Sequence, residues 1–131
     1  MERVRIEVGP HVAGDVTWTH VVPVGPVDVA TAPDLDGALV RAQVDVGHRV
    51  ALDLGRVVVC DALGLGVVLA AHVRAGRRGG QLAVVCPPGR VRALLAESGL
   101  DRLVPVVAAL ADLPRTVASG VSRLAGHDER M

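Results

Sequence analysis

Three short apolar segments constrain this chain most: residues 57–60 and 82–86, built wholly of Val, Leu, Ala and Cys, and residues 49–54, where Val50-Ala51-Leu52 and Leu54 are interrupted by charge only at Arg49 and Asp53. None shows the alternation of apolar and polar residues that marks a strand with one face in water. Strands of this kind pair in parallel and are covered on both faces. The cover must come from the segments between them, and these carry a helical period. Residues 31–44 place Leu35, Leu39 and Ala42 or Gln43 on one face, with Thr31 as N-cap and Pro33 in the first turn. Residues 63–74 place Leu65, Val68, Leu69 and His72 on one side, and Gly76 to Gly80 end that helix. Residues 91–97 suit a short helix stopped at Ser98-Gly99.

Ahead of this alternation stand two strand-like segments. Residues 3–8 alternate and are ended by Gly9-Pro10; residues 16–24 resume the β pattern, and Pro23 puts their end at a sheet edge or off the ladder. Gly25-Pro26-Val27-Asp28 turns the chain towards the first helix. Val104 to Val107 suits an added edge strand, and Pro114 permits a last helix to about Leu124. The whole predicts a single α/β domain over residues 1–125, with a short tail at 126–131. Its sheet is mixed and mostly parallel, of four to five strands, with about four helices.

Composition excludes several functions. The 131 residues carry 14 basic and 14 acidic side chains, all the basic ones Arg, for a formal charge of zero. Nucleic-acid binders draw most of their affinity from a basic face, and single-strand binders need aromatic platforms. Trp18 is the lone aromatic, so no nucleic-acid partner is expected. The longest run of apolar residues and Gly, from Ala62 to Ala71, is too short to span a bilayer. A soluble, cytoplasmic protein without a membrane partner is expected. Cys60 and Cys86 read as small core hydrophobes, although a bridge between them stays open. The five histidines have no partner at ligand spacing, so neither a metal nor another cofactor is expected. No nucleophile–base–orienter set stands out, and an enzyme is not expected. Gly64-Leu65-Gly66 lacks the further Gly and the Lys of a phosphate loop.

The order of elements and three local motifs resemble one family. They are Val24-Gly25-Pro26-Val27-Asp28 with Thr31-Ala32-Pro33, then Val50-Ala51-Leu52-Asp53-Leu54 followed by Asp61-Ala62-Leu63-Gly64-Leu65-Gly66. The third set is Gly79-Gly80 before Leu82 to Val85, with Val91 to Leu95 and Ser98-Gly99-Leu100. Together they look like a STAS domain, the fold of sulfate transporters and anti-sigma factor antagonists, and a chain of this length is similar to the bacterial antagonists. That resemblance implies a partner switch that regulates transcription. The unmodified antagonist binds a serine kinase that doubles as an anti-sigma factor and so frees the sigma factor. The kinase then phosphorylates a Ser or Thr in an Asp-Ser-Ser-Gly-like motif at the start of the second helix, and the antagonist is released. Charge added there opposes a docked partner by repulsion and desolvation.

This chain departs from the pattern at the acceptor. Ala62 and Leu63 stand where the hydroxyls would be, so the resemblance carries over Asp61, Gly64 and the Asp28 turn but no phosphorylation site. The partner-binding residues expected are Asp28, Asp61, Ala62, Leu63, Gly64, Val67, Ala71 and Arg74. Several have a plainer reading. Asp61 suits a helix cap as well as a contact, and Asp28 suits a turn. Leu63 suits an interface or a fold back over the sheet. Val67, Ala70, Ala71 and Arg74 are placed on the helix face away from Leu65, Val68 and Leu69, where small apolar residues suit docking or burial. Arg74, Arg77 and Arg78 suit an acidic partner or a solvated helix end. An alternative to the antagonist is a scaffold or sensor subunit that binds other STAS domains or a small ligand.

Overall fold

The computed structural model describes residues 4–44 and 48–116. Its sheet has six strands: β1 (Arg5–Ala13), β2 (Val16–Val27), β3 (Arg49–Asp53), β4 (Val57–Cys60), β5 (Gln81–Val85) and β6 (Val106–Val107). The order is β1-β2-β3-β5-β6, with β4 pairing β2 beyond the end of β3. Only β1 and β2 run antiparallel; the other pairs are parallel. The mixed, mostly parallel α/β architecture is the one the apolar strands demand. Six strands stand against the four to five expected, and the segments 49–54 and 57–60 form separate strands, as their spacing suggests, with the break at Leu54-Gly55-Arg56.

The helices are α1 (Ala32–Ala42), α2 (Ala62–Arg77) and α3 (Arg90–Glu97), with 3-10 turns at Leu100–Arg102 and Leu110–Asp112. The fourth helix expected after Pro114, and the tail at 126–131, lie outside the described residues. Gly99 has φ +81 and follows the last turn of α3, the left-handed stop that the Ser98-Gly99 pair predicts.

Two strand ends differ from expectation. Gly9-Pro10 does not end β1, which continues to Ala13. Because β1 is an edge strand, a missing N–H costs it no inner ladder bond. The chain reverses instead at Gly14-Asp15, where Gly14 has φ +61. Likewise β2 runs through Pro23 to Val27. Pro23 falls between the residues paired with β3 (Thr19 to Val21) and those paired with β4 (Gly25 and Val27). The expected turn at 25–28 is thus a bulged strand end, with the real turn beginning at Asp28.

Alternation along β3 and β5 sends Val50, Leu52, Leu82 and Val84 to one face, where they pack with Leu35, Leu39, Val68, Ala71 and Leu95. Trp18, Ala51, Ala83 and Val85 go to the other face and pack with Leu113. Burying each Val or Leu side chain contributes about 1.5–3 kcal/mol. The helix-covered cluster is the larger and dominates the core. Both cysteines are free and buried. No helix among the described residues is long and apolar enough to cross a membrane.

Candidate functional site at the start of the second helix

Two turns that lie far apart in sequence meet at the end of β2. Val27 pairs with Cys60 across the β2–β4 ladder, and the Asp61 N–H donates to the Val27 carbonyl at 3.2 Å. The Asp28 turn and the first turn of α2 therefore sit side by side.

Each turn is held by its own aspartate. Asp61 adopts an extended backbone, and its Oδ1 accepts from the N–H groups of Leu63 (3.0 Å) and Gly64 (3.1 Å). These are orphan donors of the helix start, so Asp61 is an N-cap and also complements the helix dipole. Asp28 Oδ1 accepts from the N–H groups of Ala30 (3.0 Å) and Thr31 (3.2 Å). Thr31 precedes α1 as expected, but its hydroxyl makes no cap bond to the helix. It donates to the Pro26 carbonyl at 2.7 Å and accepts from the Asp28 N–H at 3.0 Å, locking the turn.

The expected contact residues divide sharply. Ala62 is exposed and Leu63 is 51 % exposed, so Leu63 stands off the sheet rather than folding over it. Gly64 is buried. A Cβ there would lie 2.7 Å from Cys60 Sγ and 2.9 Å from Val27 Cγ1, so the close approach of α2 to the strands requires glycine. Ala71 is fully buried and belongs to the core, not to a surface. Val67 is half-buried against that core. Arg74 turns inward: its Nε donates to Gln43 Oε1 at 3.0 Å, and its guanidinium lies 3.8 Å from Asp36. Gln43 is itself buried and donates to the Ala71 carbonyl at 2.9 Å, clamping α1 to α2.

Leu69, expected in the core, faces outward. The exposed positions of α2 are Ala62, Leu63, Gly66, Leu69, Ala70, Val73, Gly76 and Arg77. Gly66, Leu69, Ala70, Val73, Arg74 and Arg77 line a shallow groove of about 400 Å³. Val58 and Val59 of β4 and Val29 of the Asp28 turn are also exposed. The signal for this face was present as a run of steps of three and four residues along α2, but an all-apolar helix hides which side is turned outward.

Beneath the helix start, burial pushes the Cys60 thiol up to about 11, with the Asp61 carboxylate adding to the effect. Cys86 is raised in the same direction, again mainly by burial. Both are held as thiols, which suits core packing rather than nucleophilic chemistry.

The STAS domain family model matches residues 10–113, from β1 through the segment that packs on Trp18. The chain belongs to the STAS domain family. No protein of curated function matches it in sequence. Among solved structures it is similar to an anti-sigma factor antagonist from Mycobacterium paratuberculosis, with 26% identity and a TM-score of 0.73 over 83% of this chain and 89% of that one. It is also similar in fold to the anti-sigma factor antagonist SpoIIAA in its unphosphorylated form, with 13% identity and a TM-score of 0.58 over 93% and 99% of the two chains. The phosphorylated form of the Bacillus protein gives a TM-score of 0.58 at 15% identity, over 92% and 99%. This STAS domain thus shares its architecture with antagonists of anti-sigma factors, along nearly their whole length.

Proposed function

We propose that this STAS domain is an anti-sigma factor antagonist that binds a serine-kinase anti-sigma factor through the start of α2 and the adjoining Asp28 turn. The observation that carries the reading is the exposed Leu63 in the first turn of a helix capped by Asp61, beside a second ordered turn. That is the position of the acceptor hydroxyl in the family motif. A phosphate there would add charge where a partner docks. Leucine accepts no phosphate and offers apolar area instead, so binding persists where an antagonist with the hydroxyl is released. The module acts by occupying its partner and has no catalytic step of its own.

Capture of candidate anti-sigma kinases on the immobilised chain, with ATP present, tests this reading. Retention of one kinase that survives prolonged incubation with ATP is the expected result. Failure to retain any kinase removes the antagonist role. Leu63→Ser tests the surface separately: it should become a substrate of the kinase it binds and then be released. A Leu63→Ser chain that binds yet is never phosphorylated would show that the kinase docks elsewhere.

A further inference from the structure

A solvent-facing helix normally shows a polar outer stripe. The outer side of α2 has none until its last turn: Ala62, Leu63, Gly66, Leu69, Ala70, Val73 and Gly76 precede Arg77. Read as 62-66-69-73-76 or as 63-66-70-73-77, these positions follow alternating steps of four and three, the spacing of a helix–helix seam.

Two glycines in this stripe are not required by packing against the described residues. Among the described residues, a Cβ at Gly66 or Gly76 would meet nothing within 4 Å, unlike one at Gly64. Each is a weaker helix former than alanine, so the helix gains nothing locally from carrying it. Open space above a glycine is where another backbone or a large side chain can approach closely.

The stripe is also complementary to itself when reversed. A two-fold axis between Leu69 and Ala70 sets Leu69 against Ala70, Val73 against Gly66 and Leu63 against Gly76. Every large residue meets a small one. The same operation brings Arg77 to Ala62 and Arg78 to Asp61, so the basic end of one helix meets the acidic cap of the other. Antiparallel helix dipoles favour that arrangement too. A parallel pairing would instead set Leu63 against Leu63 and Arg77 against Arg77.

We infer that the outer face of α2 is a self-association surface, on which two copies of this chain pack their α2 helices antiparallel about Leu69 and Ala70. The contact is isologous and closes as a dimer. Since the seam includes Leu63, the pair covers the surface that the proposed function gives to an anti-sigma factor. The self-association itself does not depend on that reading.

Sedimentation equilibrium of the purified chain over about 1–300 μM should show a monomer–dimer equilibrium; association in the micromolar range corresponds to a modest interface. Gly66→Leu fills the slot for Val73 but occupies open space in the monomer. It should weaken association at least about tenfold while leaving the thermal unfolding of the monomer intact. Orientation is read by oxidative cross-linking. Gly66→Cys mixed with Val73→Cys should give the heterodimeric product in excess of either homodimer. A chain that stays monomeric throughout overturns the inference, as does a dimer indifferent to Gly66→Leu. Preferential Gly66→Cys homodimers would overturn the antiparallel geometry.

Discussion

Gly64 and Gly66 stand two positions apart in α2 and answer to opposite demands. Gly64 lies over Cys60 and Val27 with no room for a methyl group, so Gly64→Ala should cost about 1–3 kcal/mol in urea unfolding despite its better helix propensity. Gly66→Ala meets no neighbour among the described residues and should stabilise the dilute monomer by about 0.5–1 kcal/mol. Asp61 can be weighed the same way. Asp61→Ala removes the acceptor of two helix N–H groups and should cost about 1 kcal/mol, whereas Asp61→Asn keeps most of the cap. The Cys60 thiol makes a pH prediction. Its folded pKa of about 11 lies above the ordinary value of 9.0, so its contribution to stability is complete below pH 9.0. Above that the unfolded chain ionises first, and the contribution is lost as pH rises through about 11. Urea midpoints taken from pH 8 upward should fall less steeply for Cys60→Ala than for the parent chain.

At the scale of elements, α1 and α2 are joined by a polar clamp inside an otherwise apolar contact. Gln43 bonds the Ala71 carbonyl and the Arg74 guanidinium at once, and Arg74 also faces Asp36. Removing Arg74 leaves the buried Gln43 Oε1 without its donor, and removing Gln43 takes the hydrogen-bond acceptor from Arg74 Nε, so Gln43→Ala and Arg74→Ala should each cost about 1–3 kcal/mol. Their double mutant should cost less than the sum, with a coupling of about 0.5–1.5 kcal/mol in a double-mutant cycle. This clamp was not legible in the sequence, where Arg74 reads as a surface cation beside Arg77 and Arg78. Long-range hydrogen bonds leave no local periodicity to detect. The strands 49–60 and 81–85 were legible because runs of Val and Leu have few alternatives in a chain of this size. Orientation of α2 was not: with Leu65, Val68, Leu69 and Val73 all apolar, composition gives no preferred face. Packing decides it, through the small residues Gly64, Ala71 and Ala75 that let the helix approach the sheet. The same cause moved Ala71 from a candidate contact to the core and Leu69 from the core to the surface. Asp28 and Asp61 were legible as cap and turn residues, yet their adjacency was not, because it depends on the β2–β4 register.

On the scale of the whole molecule, the sheet separates two faces that should respond independently. One carries the helices and the candidate docking surface; the other is sealed around Trp18, whose Nε1 donates to the Pro114 carbonyl at 3.3 Å. Leu113 packs into the same cluster, and Asp15 N–H bonds the Arg115 carbonyl, so the segment after β6 closes this face. A reporter at Trp18 therefore senses global unfolding and the seating of that segment, with the full sheet lying between it and α2. Leu113→Ala should cost about 2–4 kcal/mol, as truncation of a fully buried leucine does, and should shift Trp18 emission to the red before any denaturant is added. Gly66→Leu on the other face should leave that emission unchanged at every protein concentration. An emission change in Gly66→Leu would mean that the two faces are coupled through the sheet, and that α2 and the closing segment open as one cooperative unit.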